Sequence, residues 1–151
     1  MQEVIIADAS CLILFHNISE INLLRLLFGQ IIIRSSIAKE FGEQLPEWIK
    51  IIDASDKKYE QILNSFVDEG EASAIALAVE FKNSLLIVDD LRARKLARKL
   101  NITYTGSLGI VVEAKLQGHI KLVNPIIEKI GKTNFRLTPE LEKHILIKAG
   151  E

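Results

Sequence analysis

Leu85-Leu86-Ile87-Val88 is a run of four apolar residues, and two aspartates, Asp89 and Asp90, follow it directly. The run is too short for a core helix, and the turn-forming pair Asn83-Ser84 stands before it, so it predicts a strand. Apolar side chains at every position suit a parallel strand covered by helices on both faces. The preceding segment supplies one such helix. Gly70 breaks the chain, Glu71 opens the helix, and the alanine-rich stretch after it is apolar nearly all round. Such a helix is deeply buried, and its alanines allow close approach to a neighbour. Ligands of open parallel sheets bind beyond the carboxyl ends of the strands, where Asp89 and Asp90 stand.

The same grammar recurs along the chain. Val4-Ile5-Ile6-Ala7 is a second buried-strand candidate and ends in Asp8. A short helix through Leu12 to Phe15 follows, then a helix from Glu20 to Phe28 closed by Gly29, with an apolar face from Ile21 to Leu27. Ile31-Ile32-Ile33 is a third strand, and Ser35 or Ser36 can cap the helix that carries Glu40, since a hydroxyl satisfies free first-turn amides. Ile49 to Ile52 suggests an edge strand, with Trp48 beside it as a packing residue. Asp56 to Phe66 reads as an amphipathic helix through Tyr59, Ile62, Leu63 and Phe66. Beyond Asp90 come a basic helix from Leu91 to Leu100, a strand from Ile102 to Thr105, and the Gly106-Ser107 turn into another helix. Asn124-Pro125 and Thr138-Pro139 each start one more, because proline at the first helical position sacrifices no hydrogen bond. Strands alternating with helices predict a three-layer α/β/α sandwich with a mainly parallel central sheet of four or five strands.

Bulk properties narrow the function classes. A chain of 151 residues fits a single domain over residues 1–151 that needs no disulfide or structural metal to fold. The net charge of −1 gives no global attraction to nucleic acid or membrane, so a polyanion must be held by a local patch. One cysteine, Cys11, suits a reducing, cytoplasmic setting. Met1-Gln2-Glu3 lacks the basic start of a secretory leader, and no apolar run approaches the about 20 residues of a membrane helix.

Two predicted strands thus end in aspartate. If they are neighbours, Asp8 and the Asp89-Asp90 pair converge at one rim of the sheet, with Glu40 and Glu71 on helices that can point there. Crowded carboxylates repel one another, the more so at low dielectric, and a hard divalent cation relieves the conflict. Mg²⁺ takes oxygen ligands and keeps waters, and Mn²⁺ accepts similar donors. Zinc fits poorly, because His16, His119 and His144 are scattered. Each acid also has a plainer reading. Asp8 can cap a helix, Glu71 can favour a helix dipole, Glu40 can be solvated, and Asp89-Asp90 can be a turn and a cap.

From Val4 to about Gly150 the chain resembles the PIN domain, the metal-dependent ribonuclease fold of VapC-type toxins, and within it a short PIN-like branch. The resemblance rests on Val4-Ile5-Ile6-Ala7-Asp8-Ala9-Ser10, the Ser36-to-Glu40 helix, Gly70-Glu71-Ala72-Ser73-Ala74-Ile75, the Leu86-to-Ala97 segment, and Thr105-Gly106-Ser107-Leu108-Gly109. It implies catalytic roles for Asp8, Glu40, Glu71 and Asp90, and Mg²⁺ or Mn²⁺ held by Asp8 with Asp90 or Asp89. Glu71 replaces a common aspartate of the family, and Val88-Asp89-Asp90-Leu91-Arg92 replaces Thr-x-Asp-x-Asp, which leaves open whether Asp89 or Asp90 is the ligand. Ser10 and Ser107 would support the carboxylates, and Arg92 and Arg94 would meet an RNA backbone. The implied partners are RNA, an antitoxin protein that exposed apolar helices such as Ile21–Leu27 could receive, and a second copy of the chain. No aromatic residue adjoins the acids in sequence, so no base preference is legible. A non-catalytic PIN-like binding module is the main alternative. A phosphoacceptor receiver is weaker, because its acidic pair would follow the first strand.

Overall fold

The computed structural model describes residues 3–151; of the leader reading at Met1-Gln2-Glu3, the first two residues lie outside them. Among the described residues five strands form one sheet: Val4–Ala7 (β1), Ile31–Ile33 (β2), Ile49–Ile51 (β3), Ser84–Ile87 (β4) and Thr103–Thr105 (β5). All pairings are parallel, in the order β3-β2-β1-β4-β5. The connecting helices are Ala9–Asn17 (α1), Asn22–Phe28 (α2), Ser35–Phe41 (α3), Lys57–Leu63 (α4), Glu69–Val79 (α5), Leu91–Lys99 (α6) and Ser107–Leu116 (α7), followed by Asn124–Gly131 (α8) and Pro139–Lys148 (α9). The result is the expected α/β/α sandwich.

The strands form where apolar runs are short and punctuated. Ile6, Ala7, Ile31, Ile33, Leu86 and Ile87 are buried, as a sheet covered on both faces requires. The alanine-rich α5 packs on β1 and β4, and Ala72, Ala74, Ala76 and Ala78 are buried there. Small side chains let the helix axis approach the sheet. At the C-terminus of α2, Gly29 adopts φ 75°, a conformation that favours glycine.

Strand order places the site. The chain leaves β1 toward β2 and β3, then returns to β1's other side for β4 and β5. The carboxyl ends of β1 and β4 therefore flank the point where the winding reverses, the usual ligand crevice of such sheets. Their register pairs Ala7 with Ile87, and the Asp8 N–H donates to the Ile87 carbonyl at 3.0 Å. Asp8 and the Asp89-Asp90 pair accordingly leave adjacent strands at the same rim.

Four local expectations change. Helix α5 begins at Glu69, capped by Asp68, so Gly70 lies inside its first turn and does not break the chain ahead of Glu71. Neither Ser35 nor Ser36 caps α3; the cap position is Arg34, and Asp53, beyond β3, accepts from the Ser35 N–H at 3.1 Å. A carboxylate brought in by the neighbouring strand replaces the local hydroxyl. In α4 only Leu63 is buried, while Ile62 and Phe66 are exposed, so the amphipathic reading put two apolar side chains on the wrong side. In α2, Leu23 and Leu24 enter the core, and Leu26 is its exposed large apolar residue, so this helix does not offer a broad free face.

Candidate active site

Helix caps aim the carboxylates. Asp8 is 5% exposed and caps α1, accepting from the Ala9 N–H at 2.8 Å. Asp90 caps α6 through Oδ2, which accepts from Ala93 N–H at 3.0 Å. Asp68 and Glu71 form a reciprocal capping box at α5: Asp68 Oδ1 accepts from Glu71 N–H, and Glu71 Oε1 from Asp68 N–H. The plainer reading of Asp8 and Asp90 as caps is therefore correct, and it does not compete with a functional one. Each cap commits one oxygen and holds the carboxylate at the mouth of the sheet, where the positive ends of the helices favour negative charge.

Gly70 lies against three acids from separate parts of the chain. A Cβ there would lie 3.3 Å from Glu40 Oε2, and 3.6 Å from both Asp68 Oδ1 and Asp8 Oδ1. Residues remote in sequence thus surround one point, and the missing side chain keeps it open. Among the described residues no lysine or arginine pairs with Asp8, Glu40, Asp68, Glu71 or Asp90. Burial, chiefly, pushes the Asp8 carboxyl up to about 6; the charges of Asp68, Glu40 and Asp89 add to it, and the Ala9 N–H opposes. Glu71, 7% exposed, is pushed up to about 7 by burial first and then by Asp68, Asp90 and Asp8, against the Asp68 N–H.

Among the described residues these acids do not close into a ready-made set of three metal ligands. Mg²⁺ asks for less, since it keeps several waters and is held by one or two carboxylates. An oxygen-only donor set facing open cavities of about 370 and 530 Å³ leaves room for such a hydrated ion, and it does not suit zinc.

Asp89 faces a different task. It accepts from the Ser107 N–H at 2.8 Å and from the Ser107 hydroxyl, and Arg94 Nη2 stands 3.8 Å away. Arg94 in turn donates from Nε to the Val88 carbonyl at 2.9 Å and lies 5.6 Å from the centre of the Tyr104 ring. These contacts tie Arg94 to its own chain. Arg92 is exposed beside Asp90. Ser107 is fully buried, whereas Ser10 is exposed on the first turn of α1. Cys11 is buried near Ser107 and Asp89, and burial pushes its thiol further up, so it stays protonated and unreactive.

Two members of the region were not singled out in the sequence. Asp68 carried the signal Asp-x-x-Glu before an apolar run, the mark of a capping box. Phe66 carried none, because helical spacing assigned it to the core face of α4. It instead lines a cavity of about 370 Å³ together with Asp68, Glu71, Asp90 and Arg92.

A family model described as a PIN domain matches residues 4–151. No curated protein and no solved structure matches the chain.

Proposed function

The chain belongs to the PIN-domain family, a family of nucleases, and from that membership we propose that it is a divalent-metal-dependent ribonuclease, the toxin of a toxin–antitoxin pair. The observation that carries the reading is the set of carboxylates around Gly70, from three separate parts of the chain and, among the described residues, unpaired by any lysine or arginine. Asp8 and Asp90, with Asp68, are the residues that would hold Mg²⁺ or Mn²⁺. When bound, the ion supplies Lewis acidity, lowering the pKa of a water and offsetting charge on the phosphate. Glu40 and Glu71 orient water around that centre, and Glu40, exposed beside Asp8 and Asp68, is placed to accept the proton of an attacking water. Asp89 and Ser107 fix the exit of β4 and so the direction of Asp90. Arg92, exposed next to Asp90, meets the phosphate backbone of RNA.

The test is cleavage of end-labelled single-stranded RNA with Mg²⁺ or Mn²⁺. Asp8→Asn keeps the helix cap, because asparagine caps as well as aspartate. Cleavage should fall at least about a hundredfold in this variant, and undiminished cleavage by pure variant protein would overturn the proposal.

One observation favours a second reading. Asp89, at the altered last motif, is committed to Ser107 and Arg94, which thins the ligand set. RNA binding indifferent to EDTA, with no cleavage in either metal, would identify a PIN-like binding module instead.

A further inference from the structure

The acidic centre opens on both sides of Asp68. One cavity, of about 370 Å³, includes Phe66 and Arg92; the other, of about 530 Å³, includes Lys39 and Ser36. Asp68 lines both. Each cavity is thus lined by a cation together with carboxylates, and Asp68 is common to both, a distribution of charge suited to a nucleic-acid strand with one phosphate over a metal centre and others beside cations. The two openings differ in one respect. The first holds an aromatic residue, Phe66, which is 61% exposed next to the acids. An aromatic of that exposure contributes little to the core. Beside a phosphate-binding arginine it offers a face on which an unpaired base can stack, the usual way single strands are gripped.

We propose that Phe66 and Arg92 form a nucleobase subsite, in which the base next to the scissile phosphate stacks on the Phe66 ring. This rests on the nuclease reading above and deepens it. The strand continues toward the Lys39 opening, and the base on the Phe66 side strengthens its binding. A duplex holds its bases in the helical stack and cannot fill the subsite.

The experiment uses single-stranded RNA oligonucleotides in which one abasic nucleotide is moved position by position across the cleavage site. In the wild-type protein, one abasic position adjacent to the cut should raise KM about tenfold or more, with kcat changed much less. Phe66→Ala should raise KM similarly on intact RNA and show no added penalty at that abasic position, whereas Phe66→Trp should restore the wild-type pattern. An abasic penalty of equal size in wild type and Phe66→Ala, or no penalty anywhere, overturns the subsite. If Asp8→Asn abolishes cleavage at the same time, the nuclease reading survives without it. Phe66→Trp also gives a readout independent of activity. Its fluorescence, measured against wild type with its single Trp48, should be quenched by the single-stranded oligonucleotide in EDTA and not by a fully abasic strand. Absence of that quenching at saturating RNA overturns the proposal even in a protein that does not cleave.

Discussion

Gly70 sits in the first turn of a helix, and its backbone does not demand glycine. What it provides is room, since its missing Cβ would press to 3.3 Å of Glu40 Oε2 and reach Asp8 and Asp68. Stability and activity should therefore separate at this position. Gly70→Ala gains helix propensity worth up to about 1 kcal/mol, partly offset by the push on Glu40. The expected result is an unchanged or slightly raised melting temperature with cleavage lowered about tenfold or more, because small displacements of catalytic groups are costly. Unchanged cleavage would show that the hollow is not where the chemistry happens. Asp8, Glu71 and Asp90 could be found in the sequence because each follows a break in periodicity that also makes a helix start. Arg34 and Phe66 could not. Arg34 is 5% exposed, donates to the Ser73 carbonyl, and pairs with Asp53 at 3.2 Å and Glu60 at 2.8 Å, so its partners lie 19, 26 and 39 residues away. No local pattern encodes a partner that tertiary structure supplies.

At the scale of elements, β4, β5, α6 and α7 are fastened where they leave the sheet. Arg94 of α6 reaches across the start of α7 to the Val88 carbonyl, and Gly106 makes the path possible: a Cβ there would collide with Arg94 Nη2 and lie 2.8 Å from Asp89 Oδ1. Gly106→Ala must therefore expel the guanidinium, leaving the Val88 carbonyl without that donor and Asp89 without its nearby cation. A loss of about 1–2 kcal/mol follows, in the range of a charged hydrogen bond at a partly exposed site. Denaturant unfolding checks it, and the cause can be isolated. If the clash with Arg94 dominates, Arg94→Ala and Gly106→Ala should be non-additive, the double variant keeping beyond the Arg94→Ala loss only what the 2.8 Å approach to Asp89 Oδ1 costs. Additive losses would mean that the glycine matters for another reason. The elements themselves were well marked in the sequence, because short apolar runs between turn residues have few other structures open to them. Their ends were less so. The capping box at Asp68 moved the start of α5 ahead of Gly70, and a carboxylate from beyond β3 took the place of a serine cap at α3. Long-range competition decides such ends.

Over the whole molecule, the order β3-β2-β1-β4-β5 turns acids 82 residues apart, Asp8 and Asp90, into exits from neighbouring strands. Folding therefore assembles a negative cluster that the unfolded chain does not have, and an ion that binds the cluster must stabilise the fold. Mg²⁺ or Mn²⁺ at a hundredfold excess over its dissociation constant should add about 2.7 kcal/mol, a rise of roughly 5–10 °C in melting temperature for a chain of this size. Protons should do the same in the absence of metal, and the sign follows from Asp8. Its carboxyl is raised from 3.8 to about 6 on folding, so between those pH values the folded state binds more protons than the unfolded state. Stability in EDTA must then fall as pH rises through that window, by about 1–3 kcal/mol from Asp8 at most, with Glu71 extending the fall toward pH 7. Asp53, whose carboxyl is held below the usual range by the Ser35 N–H first and also by Arg34, acts in the opposite sense but at lower pH, outside the window. Asp8→Asn preserves the cap and removes the charge. In EDTA at pH 7.5 it should melt above the wild type, lose much of the rise between pH 7.5 and pH 5, and respond weakly to Mn²⁺. A wild-type melting temperature that ignores both metal and pH would mean that these carboxylates, however close they stand, do not share one electrostatic site.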